Sequence, residues 1–123
     1  MTISEQLEKE KAITKEKNKI KKLYKDFPKE KVKVLEGLIN ESAFMKVSIE
    51  ELRVDLIKEG LSEIFKQGKQ EFKREHPQVR TYVTFLKQYS AVMKQLIDLL
   101  PPELKKEETD ALMEFIKRGQ IKK

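Results

Sequence analysis

The sequence predicts a mainly α fold: an antiparallel hairpin of two long helices joined by a small β-hairpin, flanked by a Lys-rich N-terminal helix and a short C-terminal helix. Three observations predict it. Between His76 and Leu100, the residues Val79, Tyr82, Leu86, Tyr89, Met93, Leu96 and Leu100 follow one another at alternating steps of three and four, a heptad seam on a helix. Leu35, Leu38, Ser42, Met45, Ile49, Leu52 and Leu56 keep the same rhythm without a slip. Glycine and proline number only four each in 123 residues, and Pro28, Pro77 and Pro101-Pro102 stand at the edges of these runs.

Residues 3–27 read as the first helix. Thr2 and Glu5 have the spacing of a capping box. Its apolar positions are sparse, and only Ile20, Leu23, Tyr24 and Phe27 are dense enough to anchor it. The earlier turns should be solvated, held by i,i+4 pairs such as Glu5–Lys9, and frayed without a partner. Pro28 suits the first turn of a second helix. The unbroken seam carries that helix from about 29 to 59, past the alternative start at Ser48 and Glu51, and Gly60 stops it.

Residues 61–75 lose the helical rhythm. Gln67-Gly68 separates Ile64-Phe65 from Phe72, and glycine supplies the positive φ of a tight turn, so 62–66 and 70–74 are expected to form a β-hairpin. A short helix kinked at the glycine is the alternative. Either lets 29–59 and 77–100 pack antiparallel. After the two prolines, Ala111, Leu112, Phe115 and Ile116 return at helical spacing, which predicts a fourth helix over 103–118, ended by Gly119. The tail Gln120–Lys123 is expected to be disordered. The chain thus divides into an N-terminal helix (1–27), an oligomerisation core (28–102) and a C-terminal helix with a basic tail (103–123).

Composition narrows the function classes. Hydrophobic residues make up 38% and charged residues 39%, lean for a compact monomer, so an elongated or oligomeric protein is expected. No cysteine is present, which removes disulfides, a thiolate nucleophile and Cys-ligated zinc. No apolar run approaches the roughly 20 residues of a membrane span, and MTISEQLEKEK has no apolar signal core, so a cytoplasmic protein without a membrane is expected. Net charge is +6, and the first 34 residues hold 11 lysines against six acids. Residues 35–60 are acidic on balance.

Catalysis finds no residue set. Gly68-Lys69 lacks the rest of a phosphate loop, His76 has no Cys partner and no HExxH setting, and Glu50-Glu51 and Glu107-Glu108 are neighbours that point apart on a helix. No catalytic residue, metal site or cofactor is expected. His76 before Pro77 suits a turn or a helix cap.

The basic residues carry the sharper reading. Lys15, Lys19 and Lys22 step by four and three along one helix face, and Lys17, Lys21 and Lys25 form a neighbouring stripe. Lysine is a point charge suited to phosphate, so such a face would grip nucleic-acid backbone with strong salt sensitivity and little base preference. A solubilising face is the plain alternative. Lys66, Lys69, Lys73 and Arg74 lie beside Phe65 and Phe72 at the expected hairpin and are a second candidate contact. Phe85, Val92 and Leu99 step by seven along a side of the third helix away from its seam, and are assigned to a neighbouring subunit.

The order Glu41-Ser-Ala-Phe-Met45, Gly60, Gln67-Gly68, His76-Pro77, Tyr82, Tyr89 and Lys94-Gln-Leu-Ile-Asp-Leu-Leu-Pro101 resembles the small subunits of phage terminases, in the branch found in many tailed phages of Gram-positive bacteria. The resemblance covers about residues 29–103. It implies a non-enzymatic protein of the host cytoplasm that binds double-stranded viral DNA and assembles into a homo-oligomeric ring of about eight to twelve copies by a head-to-tail interface. It further implies a partner, the terminase large subunit, whose ATPase and nuclease activities the small subunit regulates during genome packaging. Many such subunits carry an N-terminal helix-turn-helix module, and the chain before residue 29 is too short for one. The alternative is a helical adaptor or coiled-coil regulator that binds another protein through the apolar face of 77–100.

Overall fold

The computed structural model describes residues 2–67 and 70–118, with 62–73 described in backbone only. Among these residues the fold is all-α in its core, built from α1 (Ile3–Lys22), α2 (Lys29–Glu59), α3 (Pro77–Ile97) and α4 (Pro102–Arg118). Between α2 and α3 the short segments β1 (Ser62–Gln67) and β2 (Gln70–Glu75) run antiparallel, Ser62 opposite Glu75 and Gln67 opposite Gln70. Gly68 of the expected turn, Lys69, Gly119 and the tail Gln120–Lys123 lie outside the described residues.

Local chemistry accounts for the helix ends. Thr2 caps α1, its hydroxyl accepting from the Glu5 amide at 3.1 Å. Pro28 sits just before α2 as its N-cap rather than inside its first turn. Gly60 ends α2 at φ 86°, a conformation that a side chain would strain, while its amide still bonds Leu56 O at 2.8 Å. His76 caps α3: its Nδ1 accepts from the Gln78 amide at 3.1 Å. That acceptance places the ring proton on Nε2, which donates to Glu59 Oε2 at 2.6 Å and ties the start of α3 to the end of α2.

The two long helices pack as their seams require. Three levels mark the antiparallel course: Arg53 bonds Tyr82, the Phe44 and Phe85 rings lie 6.4 Å apart, and Leu35 and Leu99 line one groove. Leu35, Met45, Ile49 and Leu56 are buried against Tyr82, Tyr89, Met93, Leu96 and Leu100. Ser42 is the polar member of the seam, and its hydroxyl is satisfied within α2 by Ile39 O at 2.9 Å. Burying each large apolar side chain contributes roughly 1.5–3 kcal/mol.

Two expectations need correction. The first helix ends at Lys22, not near 27, because residues 23–27 tighten into i→i+3 bonds such as Leu23 N to Ile20 O and Phe27 N to Tyr24 O, both 3.0 Å. The earlier turns of α1 are solvated as expected, residues 2–8 and 10–12 all being exposed, but they are not held by their own i,i+4 pairs alone. The helix lies antiparallel along α2, with Lys9 on Glu51, Glu16 on Lys46 and Lys21 on Glu36 at 2.9, 3.0 and 3.2 Å. Ile20 and Tyr24 join the core, and the Tyr24 hydroxyl donates to Leu96 O. Carboxylates of α2 hold Lys9 and Lys21, so Lys9 meets Glu51 rather than Glu5, while Glu16 of α1 meets a lysine of α2.

The wide apolar surface of α3 is covered in part within the chain. Leu112 and Phe115 of α4 are buried, and the Phe115 ring stands edge-on to Tyr89 at 5.3 Å. Arg53 holds α4 there. Its guanidinium lies 4.1 Å from the Phe115 ring centroid, and Nη2 donates to Phe115 O at 2.7 Å, one of the carbonyls left open in the last turn of α4.

Candidate nucleic-acid interface

α1 is fixed on the core at its C-terminal end by Ile20 and Tyr24, and this fixes the direction of its lysines. Lys15, Lys19 and Lys22 line one open groove of about 570 Å³ between α1 and α2, together with Ala12, Glu16, Asn18, Val47 and Glu50. All three lysines are exposed. Glu16 in that wall is taken up by Lys46, and both side chains of this pair are about four-fifths buried, at 18% and 20% exposure. The groove therefore presents three ammonium groups against the one remaining carboxylate of Glu50. Their spacing along one face suits a phosphate backbone, which needs charge and reach rather than bidentate geometry.

The neighbouring stripe does not hold together. Lys21 is half-buried on Glu36, Lys17 is half-buried, and Lys25 is exposed in the turn after the helix. The i→i+3 tightening of residues 23–27 takes Lys25 off the helical repeat that the stripe requires. Arg74 is exposed in β2, and its backbone partner in β1 is Glu63. The side chains of Lys66 and Lys73, and the whole of Lys69, lie outside the described residues.

The expected subunit interface is a half-covered edge. Phe85 and Val92, on α3, are half-buried against the core. α3 ends at Ile97 rather than 100, the residues after it tightening into i→i+3 bonds. Leu99 therefore stands in the turn beyond the helix, off the expected step of seven, and is 50% exposed. At one end of the edge, Phe85 joins Phe44, Ser48, Leu52, Thr81, Lys9 and two carboxylates in an open groove. At the other, Leu99 joins Phe27, Val34, Leu35, Glu30 and Lys31 in an apolar groove of about 440 Å³. Val34 is 79% exposed and Phe44 40% exposed. Sequence reasoning missed Phe27, Val34 and Phe44 here. The signal was available, since Val34 stands one residue before the seam position Leu35 and Phe44 one before Met45.

Two phenols are shifted by their surroundings. Burial, with a smaller push from Glu108, raises Tyr24 to about 12. Burial chiefly, with Glu16, Glu50 and Glu108 adding to it, raises Tyr89 as well. Both are core groups held neutral. Among the described residues, His, Asp and Glu form no group of metal-binding size, and no helix is long and apolar enough to cross a membrane.

Comparison with known proteins returns nothing. No family model, no curated protein and no solved structure matches the chain.

Proposed function

We propose that the chain is a terminase small subunit: a non-enzymatic protein of the host cytoplasm that binds double-stranded viral DNA, forms a ring and regulates the large subunit. The observation that carries this reading is the pairing of two surfaces on one molecule. Lys15, Lys19 and Lys22 share an outward groove, and the Phe85–Val92–Leu99 edge is left half-covered elsewhere on the molecule. A basic face can track phosphates, and a half-covered apolar edge supports association. Each site is weak alone, and repetition around a ring multiplies it. In this reading 62–75 is a β-hairpin whose Lys66, Lys69, Lys73 and Arg74 add a second DNA contact.

The first test is solution mass by light scattering after size exclusion, with and without duplex DNA. A closed assembly of about eight to twelve copies is expected. A monomer that DNA leaves unchanged overturns the reading. DNA affinity should fall steeply with salt, and replacing Lys15, Lys19 and Lys22 by Gln should flatten the log–log slope by about 2.7 if each meets one phosphate.

A second reading, a helical adaptor that binds another protein, is favoured by the apolar groove of Phe27, Val34, Leu35 and Leu99. Binding there would respond little to salt.

A further inference from the structure

α1 is attached in two unlike ways. Its C-terminal turn is anchored by apolar burial, Ile20 at 5% exposure and Tyr24 just beyond it at 1%. Its first four turns have no such anchor. Ile3 and Leu7 are 77% and 53% exposed, and Ile13 is only half-buried. What holds this part is charge: Glu16 on Lys46, and Lys9 on Glu51, the latter in ion-pair range at 2.9 Å though off-axis for a hydrogen bond. The Lys9 ammonium also lies 5.3 Å from the Phe44 ring centroid. Lys9 is thus α1's contribution to the wall of the groove that holds Phe44, Ser48, Leu52 and Phe85. Ser48 in that wall is 6% exposed, and its hydroxyl finds no hydrogen-bond partner among the described residues.

We propose that residues 3–16 form a releasable arm, held to α2 by its ion pairs with Lys9 forming one wall of the open Phe44–Ser48–Leu52–Phe85 groove, and released when a polyanion or salt competes for those pairs. The hinge is the stretch just before the Ile20–Tyr24 anchor, which stays docked when the arm lifts. Release takes Lys9 off that wall and widens the groove, which reaches Phe85 in the edge expected to meet a second copy, so the arm sets how much of that edge a second copy can reach. This last step rests on the assembly reading; the arm itself does not.

The chain has no cysteine, so a single introduced thiol reports the groove. In the full chain carrying Ser48→Cys, the rate of thiol labelling is followed from about 0.02 M to about 0.5 M salt, across which the screening length falls from about 20 Å to about 4 Å. The expected result is a rise of about two- to fivefold, reproduced at low salt by adding Glu51→Gln. A chain carrying Ser42→Cys, at a fully buried position, is the control and should stay slow throughout. Hydrogen exchange on the unmodified chain gives the same test without substitution: amides of 5–13 lose protection with salt, while those of 17–22 keep it. A labelling rate and an exchange pattern that salt and Glu51→Gln leave unchanged overturn the arm. Mass is read in the same samples. A groove that opens while the mass stays that of one chain upholds the arm and overturns the assembly reading.

Discussion

Tyr24 shows how one side chain can bind two ends of a structure. Its ring is buried beside Phe27 at 5.1 Å, and its hydroxyl donates to a carbonyl near the end of α3. Tyr24→Phe keeps the ring and removes the donor, and should cost about 1 kcal/mol in urea unfolding. The phenol also predicts an alkaline limit. Its folded pKa, about 12, stands above the ordinary 10.0, so the folded state holds the proton more tightly. Its stabilising contribution is whole below pH 10 and is lost as pH rises from about 10 to about 12. Tyrosine absorbance and denaturation followed over that range check both statements. His76 offers a second residue-scale test. His76→Ala removes the cap of α3 and should cost about 1 kcal/mol, while His76→Asn can accept from the Gln78 amide and should recover most of it.

At the scale of elements, what a sequence shows best is a face repeated along its own helix. The seams of α2 and α3, the uninterrupted passage of α2 through Val47 and the stop at Gly60 were all legible, because each depends on spacing within one stretch. The docking of α1 was not. Lys9, Glu16 and Lys21 read as solvated charge until α2 is seen to bring Glu51, Lys46 and Glu36 to the same levels. For the same reason the lysine groove was half legible. Lys15, Lys19 and Lys22 share a face by their spacing alone, but the capture of Lys21 by Glu36 depends on a helix that follows a turn. The seat of α4 was hidden too, since Arg53 reaches it across 62 positions of sequence. Arg53→Ala should free α4 locally, at a cost of about 2–3 kcal/mol, because it removes a charge-assisted hydrogen bond and a cation–π interaction at once. Hydrogen exchange should then rise across 102–118 well before the α2–α3 pair opens.

For the molecule as a whole, the division of labour between charge and apolar surface decides what a partner would meet. The core of α2, α3 and α4 is held by burial, and Ile39→Ala at its centre should cost about 2–5 kcal/mol at any ionic strength. The lysine groove and the first turns of α1 depend on charge and should respond to salt before anything else does. A thermal melt in high salt should therefore keep its main transition within a few degrees, while the exchange of 3–16 changes. The bond from Tyr24 to Leu96 adds a constraint in time, because its partners stand 72 positions apart. At a synthesis rate of about 5–20 residues per second, α1 leaves the ribosome about 4–14 seconds before its anchor on α3 exists. During that interval its lysines are on offer to any polyanion in reach, and the bond that settles where the first helix lies waits until the end of α3 has been made.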